Sequence, residues 1–431
     1  MKNVSLECAR CQKVYPIDQV RYVCDCGGLL DVKHDTEALR KQVSRATFET
    51  RTATAPMAQR DPLRSSGVWR YHEMVLPVEP EHIVSRTEGN TPLYNHPRLS
   101  AWVGMDTLYL KHEGENPTGS FKDRGMTVGT TQAKALGATA VACASTGNTS
   151  ASLAAYAAQA DIPALVIIPS GKIAAGKLAQ ALAYGAHTLQ VAGYFDDAMR
   201  LVRQICDQLG VYLLNSINPF RLEGQKSIVF EMIHGFNWQA PDWIVLPAGN
   251  LGNTAAFGKA LHEMKAIGLI DRVPQVVSVQ ATGANPFYQS FRGDFQQEFT
   301  VQAETIATAI RIGAPVSFPR AVRTIRDWTH GMVIQVNDDE IMDAKAMVDR
   351  VGIGCEPASA AAVAGVRQLV TEGVIRPDQT VVSVLTGNVL KDPGATVDYH
   401  TGQWANASYA NQPQPVAADV AAIQQAVEKI L

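Results

Sequence analysis

The chain has 431 residues, 46% of them hydrophobic and 18% charged, a globular composition with material for about three domains. A net charge of -3 at pH 7 gives no basic field for nucleic acid or an anionic membrane, so an acidic ligand has to be met locally. No apolar run reaches eighteen residues, and Glu7 and Arg10 break the opening stretch; neither a membrane span nor a secretory signal is expected, and the predicted compartment is cytoplasmic.

Residues 1–79 read as a separate N-terminal segment. Cys8 and Cys11 form C-x2-C, and after a gap of twelve residues Cys24 and Cys26 form C-x-C, followed by Gly27 and Gly28. This spacing suits a zinc knuckle, with reduced thiols as the alternative; disulfides are disfavoured in a reducing cytosol. Four thiolate ligands leave no position open for water, so such a metal is structural, not catalytic. Few basic residues precede Val32, which argues against a nucleic-acid-binding zinc module. Next come a short strand around Gly28 to Val32, a polar helix near Thr36 to Gln42, and an irregular Ala/Pro/Arg-rich stretch from Arg51 to Arg64.

From His82 onward, short apolar runs alternate with Ala-rich helical runs: DTLYLKHE, MTVGTTQAKALG, ATAVACAS, TSASLAAYAAQA, PALVIIPS and KIAAGKLAQALAYG. The alternation predicts a parallel sheet covered by helices. The segment ENPTGSFKDRGM, Glu115 to Met126, puts Lys122 behind a small flexible run where a helix starts. Three apolar runs end in Gly-Asn, at Asn148, Asn250 and Asn388, and VVSVQATGAN is close to a fourth. Ligands of open α/β sheets lie outside the carboxyl ends of the strands, so these ends are expected to converge on one crevice. Cys143, Cys206 and Cys355 are scattered and are expected to be small buried hydrophobes. The stretch Asn411 to Ala417 reads as a linker before a final helix ending at Leu431.

PAGNLGN, residues 247–253, is a strand end, a Gly-rich turn and a helix start, whose amides and positive dipole end suit a phosphate. Gly249, Gly252 and Thr254 do not reproduce G-x-G-x-x-G, and the acid that would hold a ribose is missing from its expected place, which argues against a nicotinamide oxidoreductase. A phosphate-bearing cofactor that needs a lysine is pyridoxal phosphate, held as a Schiff base. Lys122 is the candidate, because a desolvated lysine loses its charge readily; the alternative is a surface lysine paired with Asp123. Thr386, in LTGN, is expected at the pyridine nitrogen, where a hydroxyl makes the ring a milder electron sink than a carboxylate would. The residues thus point to a lyase-like enzyme acting on an amino acid.

TEGNTPL, ENPTGSFKDRGM, ASTGNTSAS, SINPFRLEGQKS and PAGNLGN, in this order between about Gly67 and Asp392, together resemble the threonine synthase family. That family belongs to the fold type II, tryptophan synthase β-like, pyridoxal phosphate enzymes, and the leading segment looks like that of its plant-type branch. The resemblance implies an α/β fold with two open twisted, mostly parallel sheets flanked by helices, plus the small cysteine-containing segment. The corresponding organisation is a cofactor domain of residues 80–130 and 225–410, a substrate-side domain of 131–224, and a linker and helix over 411–431. It implies conversion of O-phospho-L-homoserine and water to L-threonine and phosphate. By motif, Lys122 would hold the cofactor aldehyde and move protons, Asn148 would bond the ring hydroxyl, Gly249, Asn250, Leu251, Gly252 and Asn253 would cradle the cofactor phosphate, and Thr386 would meet the ring nitrogen. Ser145, Thr146 and Thr149 would bind the substrate carboxylate and part of its phosphate, with Ser216 and Arg221 completing the phosphate site. Plant-type relatives are dimers activated by S-adenosylmethionine, so a homodimer is expected, although no effector ligands are identifiable here. Plant members generally lack the cysteines, which makes a catalytic zinc improbable.

Two related activities are the alternatives. Threonine or serine dehydratases show an acidic stretch resembling HPFDD where this chain has NPFRLEGQ, and Arg221 favours a phosphorylated substrate. Cysteate synthase, acting on phosphoserine and sulfite, would keep the phosphate site.

Overall fold

The computed structural model describes residues 3–51, 61–170, 175–192 and 195–429. Most of the irregular stretch predicted over 51–64, the start of the helix predicted from Lys172, and the last two residues of the final helix lie outside the described residues. Three sheets form. Six strands run in the order Met332–Val336, Gln275–Ala281, Trp243–Pro247, Val381–Leu385, Leu108–His112 and Leu93–Asn95, all parallel except the last, which pairs antiparallel with its neighbour. Four parallel strands run in the order His187–Val191, Ala164–Pro169, Val141–Ala144 and Tyr212–Leu213.

Burial explains these strands. Trp243–Pro247, Val381–Leu385 and Val141–Ala144 are buried at every position, as expected of parallel strands covered on both faces. The helix Lys122–Ala135 packs against Pro219–Gly235, which is buried from Pro219 through Ile233 and crosses the molecule as a core helix. Asn218 caps it by accepting from Phe220 N, and Pro219 sits in its first turn. The contact is close: a Cβ on Gly224 would lie 1.8 Å from the Arg124 carbonyl oxygen.

The third sheet is the N-terminal segment, with Val4–Cys8 flanked antiparallel by Val14–Tyr15 and Leu30–His34. The strand expected at Gly28 to Val32 is displaced to Leu30–His34, because Gly27, at φ +77°, and Gly28 close the second cysteine turn through Gly28 O and Cys24 N. The helix Thr36–Gln42 forms as expected, capped by the Asp35 carboxylate. Buried charge fastens this sheet to the rest: Asp31 pairs with Arg320 at 2.7 Å, and His34 meets Glu223 at 2.7 Å. Val420–Glu428 forms the last helix and buries none of its described residues. No described helix is long and apolar enough to cross a membrane.

Candidate active site

Strand ends and helix starts surround one cavity of about 1290 Å³ between the six- and four-stranded sheets. It is lined by Lys122, Ser145, Thr146, Asn148, Thr149, Ser216, Arg221, Gly249, Asn250, Leu251, Gly252, Asn253 and Thr386, so every residue expected to bind cofactor or substrate reaches the same space. Asn388 and Asn285 do not line it, contrary to the expectation for their strand ends. Asn388 instead caps Leu390 N and donates to Gly114 O, and Asn285 donates to Gln335.

Local geometry explains how Lys122 arrives there. Gly119 adopts φ +82°, a conformation that favours glycine, and turns the chain so that Ser120 bridges Gly387 and Phe121 N donates to Thr386 O. The lysine is thereby fastened to the end of the strand Val381–Leu385. It is not paired with Asp123, whose carboxyl accepts from Thr118 N, Thr118 Oγ1 and Ser152 Oγ, each at 2.6 Å. Desolvation, helped by the nearby Arg221 cation and opposed by Glu356, lowers the Lys122 pKa to about 7. Burial also lowers that of Arg221, to about 10.

The turn at 249–253 is shaped for close approach. Leu251 holds φ +62° at the N-cap of the helix Gly252–Ala266, and a Cβ on Gly249 would lie 2.9 Å from Ile310 Cα. Among the described residues, the buried atoms Asn148 Oδ1, Asn253 Oδ1, Gln225 Oε1 and Arg221 Nε have no hydrogen-bond partner, and all four residues line the cavity. Buried polar groups are normally satisfied. A helix N-terminus with cavity-facing amides, hydroxyls, a depressed lysine and a guanidinium fits a phosphate-bearing aldehyde cofactor beside a second anion.

Sequence reasoning passed over Glu356, Asn215, Gln225 and the segment Thr308–Val316, which also border the cavity. Glu356 is 2% exposed, accepts from Asn148 Nδ2 at 3.1 Å, and accepts from the Thr386 hydroxyl at 3.3 Å. Its one visible signal is an acid set immediately before a proline and an Ala-rich apolar helix, in EPASAAA. Asn215 exchanges two hydrogen bonds with Ala144, at 2.9 and 3.1 Å, tying the end of one strand to the turn that carries Ser216.

Away from the cavity, Cys8, Cys11, Cys24 and Cys26 bring their Sγ atoms within 4.8 Å of one another, whereas Cys143, Cys206 and Cys355 are buried singly as small apolar side chains. The four-sulfur cluster has the composition and spread of a thiolate metal site.

Residues 84–387 match the family model described as pyridoxal-phosphate dependent enzyme. The chain is 47% identical to a threonine synthase of Methanocaldococcus jannaschii, over 90% of this chain and 93% of that one. It is 38% identical to threonine synthase 2, chloroplastic, of Arabidopsis thaliana, over 97% and 82% respectively. Maize serine racemase shares the fold, with a TM-score of 0.62 at 20% identity, over 85% of this chain and 98% of that one.

Proposed function

The chain belongs to the threonine synthase family of pyridoxal-phosphate dependent enzymes, and from that premise we propose that it converts O-phospho-L-homoserine and water to L-threonine and phosphate in the cavity around Lys122. The observation that carries this reading is the presence in one cavity of a lysine with its pKa lowered to about 7, a Gly-rich helix N-terminus, and a buried arginine. Pyridoxal phosphate, when bound, supplies an electron sink that makes the substrate's Cα and Cβ protons removable.

The protein supplies the rest. The turn from Gly249 to Asn253 would hold the cofactor phosphate through backbone amides, Asn148 the ring hydroxyl, and Thr386 the ring nitrogen. Lys122, able to exist as a neutral amine near pH 7, would hold the aldehyde and carry protons at the substrate carbons. Ser145, Thr146 and Thr149, on the turn entering the helix Asn148–Ala160, would bind the substrate carboxylate and part of its phosphate. Ser216 and Arg221 would take the remaining phosphate oxygens, the guanidinium stabilising the charge that develops as phosphate leaves Cγ and before water adds at Cβ. In this reading residues 80–130 and 225–410 form the cofactor domain, and 131–224 the substrate-side domain. The four N-terminal thiolates would hold a structural zinc, and the enzyme would work as a cytoplasmic homodimer.

Phosphate release measured separately with O-phospho-L-homoserine and with phosphoserine plus sulfite, alongside ammonia release from threonine, tests the reaction. Release and L-threonine formation from the first substrate are expected. Turnover confined to either of the others would replace this reading with cysteate synthesis or dehydration.

A further inference from the structure

We propose that Tyr22 is a positioning residue for the substrate-phosphate site, through which the cysteine-bounded loop braces the turn carrying Ser216 and Arg221. Tyr22 lies between Cys11 and Cys24, two residues before the latter. Its hydroxyl accepts from Leu213 N at 2.7 Å, and its ring meets that of Tyr212 edge-on, with centroids 5.7 Å apart. Nearby, Ile17 O accepts from the buried amide of Gln132, on the helix that begins at Lys122.

The strand Tyr212–Leu213 is the edge of the four-stranded sheet and, among the described residues, pairs only with Val141–Ala144. An edge strand presents unpaired amides, and Tyr22 satisfies one of them. On the other side of the same residue, Leu213 O accepts from Asn218 Nδ2 at 2.9 Å, while Asn218 Oδ1 caps the helix holding Arg221. Tyr22, Leu213 and Asn218 thus form a continuous hydrogen-bonded path from the cysteine loop to the helix start. With the hydroxyl gone, the strand end is held on one side only and the Asn215–Arg221 turn gains freedom. Because this turn carries proposed phosphate ligands and not the cofactor ligands, the loss falls on substrate binding. A metal on the four cysteines would close the Tyr22 loop and stiffen the brace.

The inference rests on the phosphate-site reading above, and Tyr22→Phe separates the two, since it keeps the ring packing and deletes only the acceptor. In the holoenzyme KM for O-phospho-L-homoserine is expected to rise about 3- to 10-fold, the range for one hydrogen bond, with kcat within about twofold. The visible cofactor band should be unchanged, and hydrogen exchange at the Leu213 amide should accelerate. Removing the metal from wild type should reproduce the KM rise and add little to it in Tyr22→Phe. Unchanged KM and unchanged Leu213 exchange in a wild-type-active background would overturn the brace alone, as would a fall in kcat with loss of the cofactor band. A wild type that turns over no O-phospho-L-homoserine would overturn the parent reading instead, while Leu213 exchange would still decide whether the brace exists.

Discussion

The Glu356 carboxylate lies 3.1 Å from Asn148 Nδ2 and accepts from it, and the same carboxylate accepts from the Thr386 hydroxyl at 3.3 Å. A carboxylate only accepts, so the Asn148 amide must turn its NH2 toward Glu356, and its carbonyl oxygen is the atom left without a partner among the described residues. Glu356 therefore fixes the orientation of two side chains proposed to touch the cofactor ring. Glu356→Ala is expected to weaken cofactor binding by about 1.5 to 3 kcal/mol, the range for hydrogen bonds to a charged group, with Glu356→Gln losing less. Titrating apo-protein with pyridoxal phosphate and following tryptophan fluorescence measures this; equal affinity for wild type and Glu356→Ala would show that the carboxylate does not orient the site.

Lys122 sets a pH dependence whose sign follows from its surroundings. Its folded pKa of about 7 lies below the ordinary 10.5, mainly through desolvation, then through Arg221, with Glu356 opposing. The amine is neutral above pH 7, so capture of pyridoxal phosphate by apo-protein should accelerate through a midpoint near 7. Arg221→Ala removes a cation and should move the midpoint up; Glu356→Gln removes an anion and should move it down. Between about 7 and 10.5 the unfolded chain holds a proton that the folded chain has released, so this group makes stability rise with pH over that window. Stopped-flow absorbance across pH measures the midpoint, and Lys122→Ala should show no visible band.

Arg221→Ala should cost about 1.5 to 3 kcal/mol in binding of a phosphorylated substrate while leaving the cofactor spectrum as it is. Steady-state kinetics with O-phospho-L-homoserine, beside absorbance spectra, separates the two effects. Loss of the visible band would place the guanidinium at the cofactor instead.

What was legible in the sequence was local. Lys122 and the turn from Gly249 to Asn253 stand in short motifs whose chemistry is encoded by their neighbours, Arg221 stands in a motif read through its resemblance to the family, and strand-end placement brings all of them to one cavity. Glu356 was illegible because its partners, Asn148 and Thr386, are 208 and 30 residues away. Asn388 misled because a Gly-Asn strand end can spend its amide on a neighbouring carbonyl, here Gly114. The shift of the first-segment strand to Leu30–His34 came from glycines consumed by the cysteine turn. The border from Thr308 to Val316 carries no periodic signal.

The four N-terminal cysteines should bind one zinc per chain. The pairs Cys8–Cys26 and Cys11–Cys24 each place their sulfurs 3.5 Å apart, close to the roughly 3.8 Å between ligands of a tetrahedral zinc–thiolate centre. Metal analysis of protein purified under reducing conditions measures the stoichiometry. Metal-free protein with four titratable thiols would show that the cluster is not a zinc site.

Gly224→Ala should be among the most damaging single-methyl additions outside the ligand contacts. The helices Lys122–Ala135 and Pro219–Gly235 touch there through backbone: the added Cβ would lie 1.8 Å from Arg124 O and 3.0 Å from Gly125 Cα. Neither atom belongs to a flexible side chain, so the helices have to separate. Separation is opposed by what lies across the same contact. The Arg124 guanidinium is fully buried, pairs with Glu113 at 2.6 Å and Glu231 at 2.9 Å, and donates to Ser227 on the opposing helix. Stretching those bonds exposes a buried charge to loss of its partners, which is costly. A destabilisation of about 3 kcal/mol, at the upper end for overpacking, is expected, accompanied by weaker cofactor binding because Lys122 begins one helix and Arg221 lies near the start of the other. Urea unfolding of the apo-protein measures the first and pyridoxal phosphate titration the second. A variant as stable as wild type would mean that the two helices do not approach this closely.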